Sequence, residues 1–140
     1  MWVVYAFLSA IFAALVAIFG KIGLKNIDST LATTVRSIIM AGFLIGASLI
    51  TRKISVGAIS QFSVKDWIFV ILSGVAGALS WLFYFYALKF GTAGRVVAID
   101  RLSIIFVIIF ATLFLGESLT WKTGVGAVIM AVGAVLISLK

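Results

Sequence analysis

Five apolar runs, each long enough to cross a bilayer and joined by short connections, decide what this chain can fold into. A helix that spans the hydrocarbon core needs about 20 mostly apolar residues. The runs extend from Trp2 to Ile22, Leu31 to Ile50, Trp67 to Phe90, Thr92 to Leu115 and Thr120 to Leu139. The connections are Gly23–Thr30, Thr51–Asp66, a tight turn at Gly91, and Gly116–Leu119. Without water, every backbone N–H and C=O has to be satisfied internally, so such runs form helices. The expected architecture is all-α and integral to the membrane, one domain over residues 1–140 with about five transmembrane helices.

Composition closes off most other readings. Of 140 residues, 64% are hydrophobic and 11% charged, where a soluble domain carries roughly 25% charged residues. There is no cysteine and no histidine, which removes thiolate metal sites and the commonest general base. The acidic residues are Asp28, Asp66, Asp100 and Glu117, too few for hydrolytic or metal-assisted chemistry. No enzyme activity, metal or cofactor is expected. The net charge of +7 comes without a basic run, so nucleic acid is not an expected partner. Arg52-Lys53, the longest basic cluster, ends an apolar run, where lipid headgroups attract cations. No Lys or Arg precedes Trp2–Phe19, so the positive segment of a signal peptide is missing. That stretch is read as a first span retained in the mature protein.

Local signals agree with these boundaries. Ser63-Val-Lys-Asp66 reads as a capping box for the third helix, and Asp28-Ser29 and Thr120 as N-caps for the second and fifth. With five spans the chain ends lie on opposite sides of the membrane. Trp2, Trp67 and Trp121 then begin helices on the side of Met1, as an aromatic interface belt requires. Loop cations number four on that side (Arg52, Lys53, Lys65, Lys122) and five on the other (Lys21, Lys25, Lys89, Arg95, Lys140). The positive-inside rule orients a protein by an excess. An excess of one leaves two readings: insertion both ways up, or boundaries misplaced by a turn.

Small residues recur at Gly42 and Gly46, at Gly74 and Gly77, and at Ala127, Ala131 and Ala134. Such faces let membrane helices approach closely, either within one chain or in a dimer, for which the fifth helix is the better placed. Because the chain lacks proline, any helix break is expected at glycine.

Charges within spans are costly and usually functional. Arg36, Asp100 and Arg101 qualify. At 1.5 Å per residue, Arg36 and Asp100 lie roughly 8 and 12 Å from the same boundary, so an Arg36–Asp100 pair is geometrically reasonable. Arg101 points about 100° away from Asp100 and serves another face. Arg36 either snorkels to the interface, forms a structural bridge with Asp100, or binds substrate. An unpaired arginine beside a cavity would favour a carboxylate or other anion. On the third helix Trp81, Tyr84 and Phe85 share one face, which either meets lipid or walls a cavity. The hydroxyls of Tyr84 and Tyr86 need partners wherever they are buried. Glu117 is read as an interface residue in a turn, without a role.

These residues form a series. Ala87-Leu-Lys-Phe-Gly91-Thr-Ala93, Val96-Val-Ala-Ile-Asp100-Arg101-Leu-Ser103 and Phe114-Leu-Gly-Glu117-Ser-Leu-Thr120 resemble the EamA domain of the drug/metabolite transporter superfamily. Gly124-Val-Gly126, Gly133-Ala-Val-Leu, Trp81-Leu-Phe-Tyr84 and Val35-Arg36 continue the likeness, closest to the short, single-repeat members. Two departures touch the cavity: the prolines common near Thr92 and Ala98 are missing, as is a basic residue near Tyr86. The resemblance implies one repeat of an inverted pair, hence an antiparallel homodimer. Such an assembly would act as a secondary transporter of small metabolites in the inner membrane by alternating access. Export is favoured by family habit alone. Asp100, Arg36 and Arg101 would then bind substrate or a coupling ion, with Trp81 and Tyr84 lining the path. Two alternatives stand beside it, a non-transporting membrane subunit or assembly partner and a small multidrug exporter. The first helix lacks the acidic residue usual in the latter.

Overall fold

The computed structural model describes residues 1–53 and 56–139; Lys140, counted above among the loop cations, lies outside them. Among the described residues there are helices and no strands. In chain order these are α1 (Trp2–Gly23), α2 (Ser29–Ile50), a single turn α3 (Val56–Ile59), α4 (Val64–Phe90), α5 (Ala93–Asp100), α6 (Ser103–Phe110) and α7 (Trp121–Ser138). A π-helical turn, Ala111–Leu115, follows α6 directly. Five segments are long and apolar enough to cross a membrane: α1, α2, α4, the stretch Ala93–Leu115, and α7. The five expected spans are therefore present. Large apolar side chains are exposed along all of them, among them Phe7, Ile38, Phe69, Val107 and Leu136. A surface of this kind requires lipid around it.

Capping sets several ends. The Asp28 carboxylate accepts from Thr30 N–H at 2.9 Å and Leu31 N–H at 3.0 Å, so α2 begins two residues before Leu31. Ser63 and Asp66 form a reciprocal box: Asp66 N–H donates to Ser63 Oγ at 3.2 Å, and Ser63 N–H to Asp66 Oδ2 at 3.0 Å. That box starts α4 at Val64, a turn before Trp67. Thr120 Oγ1 accepts from Thr123 N–H at 3.2 Å and caps α7. At the other end of α2, Lys53 N–H reaches Ser48 C=O at 2.9 Å and Arg52 N–H reaches Leu49 C=O at 3.0 Å. These two bonds make a Schellman closure, with Arg52 in the left-handed region at φ 53°.

The fourth expected span is interrupted. The helix ends at Asp100 and resumes at Ser103. Leu102 N–H bonds to Ile99 C=O at 2.9 Å, Ile104 to Arg101 at 3.2 Å and Ile105 to Leu102 at 3.0 Å. All three reach three residues back instead of four, as in a 3₁₀ helix. Arg101 (φ −67°, ψ −12°) and Leu102 (φ −63°, ψ −16°) have the matching dihedrals. The expectation that a break needs glycine is corrected here. Tightened hydrogen bonds next to Asp100-Arg101 make the break, and none of the residues involved is glycine.

The chain divides into two compact units, Met1–Ile22 with Phe90–Lys140, and Gly23–Lys89. In the first, α7 packs against α5. Its buried residues are small: Ala17 on α1, Ala98 on α5 and Ala134 on α7. Lys21 Nζ donates to Gly91 C=O at 2.8 Å, tying the end of α1 to the turn before α5. The alanine stripe of α7 thus has a packing role inside the chain. In the second unit Leu24, Ser29, Thr33, Phe85 and Leu88 are buried. There the Thr30 and Tyr86 hydroxyls hydrogen-bond at 3.0 Å, joining α2 to α4.

Candidate functional site

The candidate residues divide between the units, and each group is described in its own. In the second unit, Arg36 lies one-third of the way along α2, seven residues past Ser29 and so about 10 Å into the helix. Its guanidinium sits over the Trp81 ring, 3.8 Å from the centroid, and 5.4 Å from that of Phe85. Trp81 is nine residues before the end of α4, about 13 Å in. The arginine side chain therefore lies against the facing helix.

The aromatic face of α4 follows helical spacing, as expected. Trp81 meets Tyr84 edge-on at 5.5 Å and Phe85 at 6.0 Å, and Tyr84 lies 6.2 Å from Phe85. Phe85 is 3% exposed, and Trp81 and Tyr84 are half-buried. This face turns toward the protein, against the lipid-facing alternative. Rings at such distances and tilts suit the quadrupoles of π systems, and a guanidinium over the indole adds a cation–π attraction. Neighbouring hydroxyls on α2 are spent on their own backbone: Thr33 Oγ1 donates to Ser29 C=O at 2.7 Å and Ser37 Oγ to Thr33 C=O at 2.8 Å.

In the first unit, Asp100 closes α5 and is half-buried, while Arg101 is exposed at the break. Because Leu102 and Ile104 bond three residues back, the carbonyls of Ala98 and Asp100 lose the N–H partners an α-helix would give them. Polar backbone is therefore concentrated beside the one intramembrane carboxylate. Irregular backbone at this depth is tolerated where it lines a cavity or is covered by protein. The end of the same span is also irregular. Gly116, at φ 68°, closes the π turn through its N–H to Ala111 C=O, and Glu117 N–H reaches the same carbonyl at 3.2 Å. Glu117 thus belongs to a helix closure.

Two features escaped sequence reasoning. One is the Thr30–Tyr86 hydroxyl pair, signalled only by the need of Tyr86 for a partner. The other is Ser29, wholly buried, with an Oγ that has no hydrogen-bond partner. A serine at a helix start gave no sign of that burial. No cluster of acidic residues able to hold a metal ion occurs among the described residues.

Comparison with known proteins sets these features in a family. The model of the EamA-like transporter family matches residues 1–139. The chain belongs to that family. This EamA protein is similar to the uncharacterized transporter in the cobO 3' region of Sinorhizobium sp, with 41% identity over 137 residues, covering 98% of this chain and 96% of that one. No solved structure matches. The likeness spans both units of the EamA chain.

Proposed function

We propose that this protein is a secondary transporter of small metabolites, working by alternating access as an antiparallel homodimer in the inner membrane, with export as its direction. Family membership supports the transporter class, and the relative in Sinorhizobium sp carries the same description. The observation that carries the reading is the polar equipment inside otherwise apolar spans. A cation sits on an aromatic face of the second unit, and a carboxylate lies at a helix break of the first. Discontinuous helices with freed backbone groups are the usual means by which transporters bind polar cargo at membrane depth. In this reading Asp100, Arg36 and Arg101 bind the cargo or a coupling proton, and Trp81 and Tyr84 line the path.

The test is uptake by liposomes that hold this protein alone, with a pH gradient as the driving force. Asp100→Asn is expected to abolish the response to pH. Transport that survives with unchanged pH dependence would remove Asp100 from the coupling site. A second reading is favoured by the Arg36–Trp81 contact itself, which joins α2 to α4. A non-transporting subunit could use the same contact purely to lock helices. Liposomes without any flux above protein-free controls, across a panel of metabolites and ions, would favour that subunit.

A further inference from the structure

Arg36 carries a fixed charge inside a span, and its own unit offers no anion to meet it. Residues Gly23–Lys89 include two carboxylates, Asp28 and Asp66. Asp28 caps α2 through Thr30 and Leu31 N–H, eight residues and so about 12 Å along the helix from Arg36. Asp66 is bonded to Ser63 N–H and Oγ, at 3.0 and 2.7 Å, fifteen residues and so about 22 Å before Trp81. Both are engaged at helix starts. Among the described residues, no carboxylate or carbonyl is hydrogen-bonded to the Arg36 guanidinium. What holds it is the face of Trp81, with Phe85 beside it.

That choice of partner has a geometric consequence. A ring face attracts the guanidinium but accepts no conventional hydrogen bond from it, so its N–H groups still require acceptors. Those donors form a planar fork that matches two oxygens of a carboxylate or phosphate. A cation inside a span is also costly, and the rings meet only part of that cost, so an incoming anion gains from the remainder. A neutral ligand gains little of it, and a cation is repelled. We propose that Arg36, supported on Trp81, is a binding position for an oxyanion, a carboxylate or phosphate group carried by the ligand. On the transporter reading, on which only the role of the ligand rests, this makes the cargo a small organic acid or phosphate ester.

The experiment reads binding at Trp81 directly. Trp2, Trp67 and Trp121 are changed to Phe, leaving Trp81 as the sole tryptophan, and the protein is placed in nanodiscs of phosphatidylcholine. Acetate, benzoate and inorganic phosphate are titrated against its emission, with benzyl alcohol and benzylamine as controls. Saturable change with at least one of the oxyanions, and none with the alcohol or amine, is expected. Arg36→Lys keeps the charge but loses the planar fork, and should weaken binding about tenfold or more. The contrast between benzoate and benzyl alcohol needs no change at Arg36, so it stands even where a variant fails to fold.

Phosphatidylglycerol in the discs separates two sources of the anion. Soluble oxyanions that saturate the signal in phosphatidylcholine, undisturbed by phosphatidylglycerol, assign the position to cargo. A response to phosphatidylglycerol alone assigns it to a lipid headgroup. No response to any of these anions, or equal binding by Arg36→Lys, overturns the proposal. Anion binding without liposome flux would count against the transporter reading and leave the oxyanion position intact.

Discussion

At the scale of residues, two side chains govern the ends of α2 and can be tested singly. The N–H groups of Leu31, and then of Thr30, hold the Asp28 carboxyl below the usual carboxylate range. A group with a lowered native pKa contributes stability that is complete above its unfolded value and is lost as pH falls through the native one. Thermal melts of purified protein should therefore lose stability on acidification below pH 3.8. Asp28→Asn, which still caps, should flatten that dependence, and Asp28→Ala should lower the melting temperature at neutral pH. Arg52 closes the same helix in a conformation that L-residues enter at a cost. Arg52→Gly should stabilise the protein by about 1 kcal/mol in denaturation from mild detergent. The caps were legible in the sequence because they depend on neighbours in the chain. Arg36 was not fully legible. Its depth can be counted along α2, but the side it presents to α4 is decided by packing, and depth alone had suggested Asp100 as its partner. Asp100 lies in the other unit, and the partner found within its own unit is an indole.

At the scale of elements, apolar run length gave the spans to within a few residues, because lipid imposes both helix and length. The break in the fourth span was hidden for a physical reason. Glycine and proline announce a bend through backbone freedom or a lost donor, whereas Ile99 to Ile105 bend by choosing acceptors three residues back. Converting a residue from 3₁₀ to α geometry removes about 20° of rotation and about 0.5 Å of rise. Across three residues, α6 would turn by about 60° relative to α5. Phe106 and Phe110, whose rings lie 6.5 Å apart on that helix, would swing with it. Amide exchange should be faster at Leu102 and Ile104 than along the rest of α6. Equal protection throughout would argue for a rigid joint. Packing of α5 on α7 makes its own prediction. Ala134 on α7 is 6% exposed, so Ala134→Leu should overfill its surroundings and destabilise the protein by about 1–3 kcal/mol in thermal melts.

At the scale of the whole molecule, five spans put Asn26 and Ser60 in loops on opposite sides of the membrane. The chain lacks cysteine, so Asn26→Cys and Ser60→Cys report sidedness to an impermeant thiol reagent. For the dual orientation proposed above, each site should be labelled from outside in about half the molecules, following the near balance of loop cations. Labelling of one site only would end the homodimer proposal and direct attention to a different partner chain. The odd number of crossings has a deeper consequence for such a dimer. One sequence then supplies both gates, and turning the assembly over about its two-fold axis exchanges them. The inward-facing and outward-facing forms become the same object seen from opposite sides. In a symmetric bilayer without a gradient their free energies are equal, whatever the sequence. Direction of transport then comes from the gradients and the lipid asymmetry across the membrane, and no substitution in the chain can favour one face over the other.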